Sequence, residues 1–182
     1  MESRGFQVIA EEELLWTPTI QIKRAKVATP SSSEVERLVV RHSGAVVVVP
    51  VDGGDVILVR QYRAAVDRWL IEAPAGKRDI DGEDPETTAI RELEEEAGMV
   101  ASRIELLARF YNSPGFSDEY TYCYLAEGLS PVPTIPHGPE EEHMEVVRMP
   151  LGVAISAIWS GEIEDAKTQI GLLLAERRLA ER

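Results

Sequence analysis

The sequence predicts an α/β fold in which helices cover a mixed β-sheet, with an N-terminal β-hairpin region in front. Three observations predict it: strand-like segments fill the first half of the chain, a fully capped helix follows, and strands and helices mix in the second half. The 182 residues, 44% of them apolar, are enough for one substantial core. We assign residues 1–43 to the N-terminal strands and residues 44–182 to the main domain.

The first half of the chain contains two hairpin patterns. Residues 19–28 alternate between apolar and polar side chains, and residues 34–41 continue the strand pattern after a Pro-Ser turn. Between residues 45 and 63, two β-branched runs flank Asp-Gly-Gly-Asp, which is a strong hairpin signal. This second hairpin places Arg63 at the end of a central strand.

The segment from Asp84 to Gly98 carries a complete set of helix signals. Asp84 suits the N-cap, Pro85 the first helical position, Glu86 the positive helix end and Gly98 the left-handed position after the last turn. We expect the apolar face of this helix to consist of Ala89, Ile90, Leu93 and Ala97. Further strands are expected at residues 104–111, 120–126 and 144–148, followed by helices at residues 151–160 and 163–180.

Composition limits the classes of partner. The 19 basic and 32 acidic residues give a formal charge of −13, which argues against binding to a nucleic-acid backbone. No apolar run approaches the length of a membrane span, and the N-terminal segment lacks the pattern of a signal peptide, so we expect a cytoplasmic protein. The single cysteine, Cys123, lies in an apolar stretch and is expected to be a buried thiol.

Three glutamates on the predicted helix indicate a metal site. Glu92, Glu95 and Glu96 are three or four residues apart and share one face, where each like-charged pair costs roughly 0.2–0.5 kcal/mol. A hard divalent cation such as Mg²⁺ would compensate this repulsion and can also hold phosphate oxygens. Arg91 can orient Glu95 through an ion pair. The alternative for these residues alone is a solvated acidic face.

The surrounding residues extend the pattern to G-x6-E-x7-R-E-U-x-E-E-x-G-U, where U is apolar. Its fixed members are Gly76, Glu83, Arg91, Glu92, Glu95, Glu96 and Gly98. Seven such identities arise by chance about once in a million chains of this length. The pattern resembles the Nudix box, the strand-loop-helix-loop motif of the Nudix hydrolases. Here six residues, instead of the usual five, separate the first glycine from the first glutamate.

The resemblance implies a fold, a metal and a reaction. The fold is a Nudix-like α/β/α sandwich over residues 44–182. The Ala75 carbonyl, Glu92, Glu95 and Glu96 bind Mg²⁺, with Mn²⁺ as an alternative, and Glu96 is the central catalytic member. The remaining motif residues, Gly76, Glu83, Arg91 and Gly98, are structural. The implied reaction is hydrolysis of a diphosphate to two phosphate monoesters.

Flanking segments are similar to the branch that cleaves ADP-ribose or nucleotide sugars. These are E-A-P-A-G-K from Glu72 and S-P-G-F-S-D-E from Ser113, where Pro114 lies sixteen residues after Gly98. The resemblance implies that the substrate is bound by Trp16, Arg63, Glu72, Pro114, Gly115, Ser117 and Glu119, with Asp118 beside them. The alternatives are an ordinary turn at Pro114-Gly115, a surface arginine at position 63, and core or dimer packing for Trp16.

The family's ADP-ribose enzymes supply a catalytic glutamate from a loop, which maps here to Glu142 or Glu141, with Glu140 as a further alternative. His143 is also a candidate base, although a solvated loop histidine is the commoner case. The predicted activity is hydrolysis of ADP-ribose to AMP and ribose 5-phosphate by a homodimer with no nucleic-acid or membrane partner. Hydrolysis of other nucleoside diphosphate sugars and a non-catalytic nucleotide-sensing module remain alternatives, whereas the long N-terminal region and Pro114 disfavour a nucleoside triphosphate hydrolase.

Overall fold

The computed structural model describes residues 5–133 and 143–182, and the chain divides into two compact units. The first contains the described residues up to Gly44 together with Tyr111–Tyr120, and the second contains those of Ala45–Phe110 and Thr121–Arg182. Residues 111–120 are grouped with the N-terminal strands in this division. The functional division between residues 1–43 and 44–182 stays a prediction.

The first unit is built on an antiparallel three-stranded sheet in the order β1-β2-β3. Its strands are β1 (Gln7–Trp16), β2 (Ile20–Ala28) and β3 (Glu34–His42). The predicted hairpin of β2 and β3 is confirmed, but the structure adds β1. All ten residues of β1 are exposed. Its sequence, QVIAEEELLW, does not show the alternation of a half-buried strand, and β1 was therefore not predicted.

Within the part of the chain that the structure describes, the second unit contains a seven-stranded mixed sheet and three helices. The strands are β4 (Ala45–Asp52), β5 (Asp55–Arg63), β6 (Arg68–Glu72), β7 (Ala75–Lys77), β8 (Met99–Tyr111), β9 (Tyr120–Pro131) and β10 (Glu145–Pro150). The helices are α1 (Pro85–Ala97), α2 (Leu151–Ser160) and α3 (Ala166–Ala180). The sheet follows the order β10-β5-β4-β9-β8, in which β4 pairs parallel with β9 and antiparallel with β5.

Strand β4 lies at the centre of the core because both of its faces are covered. Val47 and Val49 belong to one apolar cluster, which includes residues of α2 and α3. Val46 and Val48 belong to the other, which includes residues of α1. The continuous valine run is the pattern of a strand buried on both faces. The second unit is therefore the predicted α/β/α sandwich, and its described helices include none that is long and apolar enough to span a membrane.

Strands β4 and β5 separate soon after their turn, and the next segment of the chain fills the gap. The two strands share only the pairs Val51–Val56 and Asp52–Asp55. Beyond these, β6 pairs with the freed edge of β5, and β7 pairs with the freed edge of β4. The connection from β6 to β7, Glu72-Ala73-Pro74-Ala75, therefore lies inside the sheet rather than at its border.

Helix α1 has the predicted ends. Asp84 accepts a hydrogen bond from the Glu86 amide at 3.0 Å, Pro85 is the first helical residue, and Gly98 adopts the left-handed conformation with φ 62°. The predicted apolar face needs one correction, since Ile90 is 40% exposed. Glu92 and Glu96 are buried instead, along the same side of the helix as Ala89, Leu93 and Ala97.

Candidate active site

Arg91 joins three glutamates of the predicted motif. Its guanidinium lies 3.3 Å from Glu83, 2.8 Å from Glu92 and 2.9 Å from Glu95. Burial alone would lower the pKa of Arg91, but the hydrogen bond to Glu83 and the charges of the three carboxylates outweigh it and raise that pKa. The hydrogen bond from Arg91 likewise lowers the pKa of Glu83. The positive charge of Arg91 therefore compensates part of the acidic charge of this cluster.

Two of the motif glutamates approach β7. Glu96 accepts a 2.9 Å hydrogen bond from the backbone amide of Ala75. The Glu92 carboxylate lies so close to Gly76 that a Cβ atom at this position would overlap it. A side chain at position 76 would therefore displace the Glu92 carboxylate, whereas the backbone conformation of Gly76 is one that other residues adopt. The carboxylates and the Ala75 backbone are therefore brought together by the docking of α1 on the sheet.

The donors at this place suit a hard divalent cation, since they are carboxylate oxygens and a backbone carbonyl. In residues 5–133 and 143–182, no three histidine, cysteine, aspartate or glutamate side chains form a complete metal-binding group. Mg²⁺ usually binds one or two carboxylates and completes its coordination with waters and substrate phosphates. The residues therefore fit an Mg²⁺ ion held jointly with a substrate, and the ligand assignment of Ala75, Glu92, Glu95 and Glu96 stays a prediction.

Arg63 and Glu72 form a two-pronged ion pair across β5 and β6. The Arg63 Nε and Nη2 atoms each donate a 2.7 Å hydrogen bond to a different Glu72 oxygen. The hydrogen bonds that Arg63 donates to Glu72 raise the pKa of Arg63, and the charges of Glu96 and Asp165 raise it further. The Glu72 side chain is 1% exposed, whereas that of Arg63 is 38% exposed. Glu72 therefore fixes the guanidinium plane, and Arg63 presents the accessible charge.

The sequence did not predict a second group of polar residues, at the start of α3. Thr168 accepts a 2.8 Å hydrogen bond from the Ala73 amide, and its hydroxyl donates to Asp165 at 2.7 Å. Lys167 lies 2.6 Å from Asp165 and 3.6 Å from Glu72. The Asp-x-x-Thr spacing predicts a helix cap, but nothing in it indicates contact with a segment 95 residues earlier.

The predicted substrate loop belongs to the first unit, where it is fixed to β3. The Val40 amide donates to the Phe116 carbonyl at 2.7 Å, and the Asp118 amide donates to the Val40 carbonyl at 3.1 Å. The Asp118 carboxylate accepts from Arg41 and from the His42 amide. Ser117 Oγ accepts from the Glu119 amide at 3.2 Å. These bonds define the loop conformation, and its substrate role stays a prediction.

The other predicted residues have simpler surroundings. Trp16 ends β1 with 58% of its surface exposed, so core packing within this chain is excluded for it. Gly115 has open space where a side chain would lie. His143 is an exposed turn residue. The candidates Glu140, Glu141 and Glu142 lie outside the described residues.

Comparison with known proteins identifies the family. The NUDIX domain model matches residues 40–169, which is most of the chain. The chain belongs to the Nudix family. It is a Nudix hydrolase by this match and by the geometry of the motif, and hydrolases of this family generally use divalent metal ions such as Mg²⁺. The family assignment therefore agrees with the resemblance of the box residues.

Three relatives align with nearly the whole chain. An ADP-ribose pyrophosphatase of Bacillus subtilis is 40% identical over 92% of this chain and 91% of its own length. An ADP-ribose pyrophosphatase of Mycobacterium tuberculosis is 38% identical over 95% of this chain and 84% of its own length. A methanol dehydrogenase activator of Bacillus methanolicus is 35% identical over 91% of this chain and 90% of its own length.

A solved structure confirms the fold of this Nudix chain. The crystal structure of an ADP compounds hydrolase superposes with a TM-score of 0.81 and covers 97% of this chain and 95% of that one. The two sequences are 23% identical, so this likeness shows the fold alone.

Proposed function

We propose that this Nudix hydrolase cleaves the diphosphate bond of ADP-ribose to give AMP and ribose 5-phosphate. The observation that carries the proposal is the packing of the Glu92 and Glu96 carboxylates against Ala75 and Gly76, with Arg91 holding the outer side of the cluster. The two relatives named ADP-ribose pyrophosphatases support the choice of substrate.

In this proposal some residues around β7 bind the metal and others bind the diphosphate. The Ala75 carbonyl, Glu92, Glu95 and Glu96 hold Mg²⁺, or Mn²⁺ in its place. A bound metal ion would neutralise negative charge on the diphosphate and activate a water molecule. Arg63 contributes a fixed positive charge to the diphosphate, because a guanidinium is always protonated and Glu72 holds it in one plane.

The direct test is incubation of the chain with ADP-ribose and Mg²⁺, followed by chromatography of the products. AMP and ribose 5-phosphate in equal amounts are expected, with no product when a chelator is present. A parallel panel contains nucleotide sugars, dinucleoside polyphosphates and nucleoside triphosphates. Faster cleavage of another nucleoside diphosphate sugar would move the assignment to that substrate, and no cleavage of any compound would overturn it.

A matched pair of variants on α1 tests the metal centre. Glu96→Gln keeps the size and the hydrogen-bond acceptor but removes the charge, so kcat is expected to fall by at least about a hundredfold. Glu94 lies on the same helix, outside the motif identities. Glu94→Gln is expected to retain normal kcat. Equal activity of the two variants would remove Glu96 from the centre.

We propose Glu142 as the loop glutamate that acts as general base, with Glu141 and Glu140 as the alternatives. Three single glutamine variants distinguish them, because loss of a general base typically costs about 10²–10⁴-fold in rate. One variant is expected to show this loss in kcat with little change in KM. Comparable activity of all three variants would exclude the loop as the source of the base.

The loop around Pro114 is proposed to bind the ribose portion of the substrate through Ser117 and Glu119, with Gly115 allowing close approach and Trp16 stacking on adenine. The open space at Gly115 and the exposed ring of Trp16 support these roles. Ser117→Ala and Trp16→Ala are expected to raise KM more than they lower kcat. Unchanged KM values would exclude the two side chains from substrate binding.

One relative favours a second candidate function, since it is named a methanol dehydrogenase activator. In this alternative the chain acts on an enzyme partner, either by hydrolysis or as a nucleotide-sensing module. A methanol dehydrogenase assayed with and without the chain tests this role. Activation by wild type but not by Glu96→Gln would indicate a hydrolytic mechanism, and activation by both would indicate a binding role.

A homodimer and a cytoplasmic location complete the proposal. The dimer is supported by the exposure of every residue of β1 and by the exposed apolar side chains of Val8, Leu15, Trp16 and Leu38 on the N-terminal sheet. Light scattering after size exclusion is expected to give twice the 20.2 kDa chain mass. Leu38→Glu is expected to shift the mass towards the monomer, and a monomeric wild type would overturn the proposal.

A further inference from the structure

The segment between β6 and β7 is held by side chains from two helices on opposite faces of the sheet. The Ala73 amide donates to Thr168 of α3 at 2.8 Å, and the Ala75 amide donates to Glu96 of α1 at 2.9 Å. Pro74 between them has no amide hydrogen, and its carbonyl accepts from the Val48 amide at 2.8 Å. These bonds fix the segment that carries the proposed Ala75 metal ligand.

The Thr168 hydroxyl is directed by its own neighbour. It has one hydrogen, which it donates to Asp165, so a lone pair remains for the Ala73 amide. Asp165 also accepts from the Thr168 amide at 2.8 Å as the N-cap of α3. Burial by itself would raise the pKa of Asp165, but Lys167 and Thr168 outweigh it and keep that pKa low. The carboxylate is therefore ionised and remains an acceptor.

The same turn of α3 contacts Glu72 at the other end of the segment. Lys167 lies 3.6 Å from the Glu72 carboxylate, whose two oxygens also accept from Arg63. The Lys167 side chain is only 17% exposed, so this charge is close to Glu72 and little screened by solvent. A series of ion pairs therefore links Asp165 to Lys167, Lys167 to Glu72, and Glu72 to Arg63.

Gly171, one turn after Thr168, allows α3 to lie this close to the sheet. A Cβ atom at Gly171 would lie 2.8 Å from a Val49 methyl group and 3.3 Å from the Cys123 sulfur. Both distances are tighter than ordinary van der Waals contact. The absent side chain thus sets the spacing at which the Thr168 hydroxyl reaches the Ala73 amide.

We propose that the first turn of α3 is a positioning element of the catalytic site, in which Thr168, Asp165 and Lys167 fix the Glu72–Ala75 segment. Thr168 fixes the backbone that presents the Ala75 carbonyl, and Lys167 fixes the carboxylate that orients Arg63. The proposal rests on the function proposed above, in which Ala75 holds the metal and Arg63 meets the diphosphate.

The experiment compares Thr168→Val with Thr168→Ser. Valine has the shape of threonine but no hydroxyl, and serine keeps the hydroxyl. Two quantities are measured: kcat and KM for ADP-ribose, and the Kd of Mn²⁺ obtained by titrating free Mn²⁺ by electron paramagnetic resonance in the presence of AMP. Supporting groups behind metal ligands typically contribute 10–100-fold to metal affinity or activity, so Thr168→Val is expected to raise the Kd and lower kcat within about this range. Thr168→Ser is expected to remain near wild type in both.

Leu172→Ala separates positioning from stability. Leu172 is fully buried on the same helix, but it belongs to the apolar cluster rather than to the polar network. This variant is expected to lower the thermal midpoint while keeping Mn²⁺ affinity and kcat at a temperature where it is fully folded. If it loses Mn²⁺ affinity as strongly as Thr168→Val, the role of α3 is structural and the proposal is overturned.

The remaining outcomes are distinguishable from failure of the proposed function. Wild-type values for Thr168→Val in both measurements would overturn the positioning role and leave ADP-ribose hydrolysis intact. If wild type cleaves no ADP-ribose, the proposed substrate fails, and the Mn²⁺ titration alone decides the positioning role. Absence of Mn²⁺ binding by wild type would overturn the positioning role, while the cleavage assay with ADP-ribose and Mg²⁺ decides the proposed function.

Discussion

The Glu92 carboxylate occupies the space that a side chain at Gly76 would need. Gly76→Ala is therefore expected to displace Glu92 from β7 and to lower kcat by about 10–100-fold, the usual range for a disturbed metal-supporting group. The matched control is Gly152→Ala, because a Cβ there meets open space. Steady-state kinetics of both variants test the relationship, and normal kcat in Gly76→Ala would show that Glu92 can move without consequence.

The Arg63–Glu72 ion pair predicts a stability difference between two arginines of β5. Arg63→Ala leaves a carboxylate that is 1% exposed without its two-pronged partner, which is expected to cost about 2 kcal/mol after allowance for the partial exposure of Arg63. Arg60, on the same strand, forms an exposed pair with Glu145 at 3.4 Å, so Arg60→Ala is expected to cost about 0–1 kcal/mol. Urea unfolding measures both free energies. A similar loss of unfolding free energy in Arg63→Ala and Arg60→Ala would contradict the prediction that the Arg63–Glu72 pair is the more stabilising.

The lowered pKa of Asp165 is expected to account for part of the loss of stability of the fold in acid. Its pKa is lowered below 3.8, so the unfolded chain binds this proton more tightly and stability falls as the pH drops below about 3.8. Above that pH its contribution is complete. Asp165→Asn still caps the helix but cannot titrate. Urea unfolding at pH 6 and pH 3 is expected to show a smaller loss for Asp165→Asn than for wild type, and equal losses would contradict the prediction.

The prediction of a buried thiol at Cys123 is confirmed, since its side chain is fully buried in the core. Burial raises the pKa of Cys123 to about 12, so almost no thiolate exists at pH 8. The folded protein is expected to react with a thiol reagent only at the rate of unfolding, and to react with one equivalent immediately in denaturant. Fast reaction of the folded protein would contradict this expectation.

Local sequence rules were sufficient wherever a feature depends on neighbouring residues. The ends of α1 were predicted because Asp84, Pro85 and Gly98 act within one turn of the helix. The last helix was predicted from residue 163, whereas the structure begins it after Asp165, whose side chain caps the turn. These differences are within the range in which helix ends vary.

Features that depend on distant contacts were not predicted from the sequence. Strands β6 and β7 are short and exist because β4 and β5 separate, which no residue pattern records. Ile90 was predicted to lie on the buried face of α1 because apolar side chains favour the core, but it is exposed. Glu92 and Glu96 are buried instead, because this side of α1 packs against β7. The contact of Thr168 with Ala73 joins segments 95 residues apart, so it follows from the tertiary fold alone.

The parallel pairing of β4 with β9 has a consequence for the order in which the molecule acquires its activity. The pair Val46–Tyr122 joins positions 76 residues apart (122 − 46), and α3 comes later still. Such long chain closures are slow steps in folding, and synthesis delivers the N-terminal segments first. In the arrangement proposed above, a nascent chain carries its box glutamates well before α3 can support them, and it is expected to gain activity only after α3 has left the ribosome.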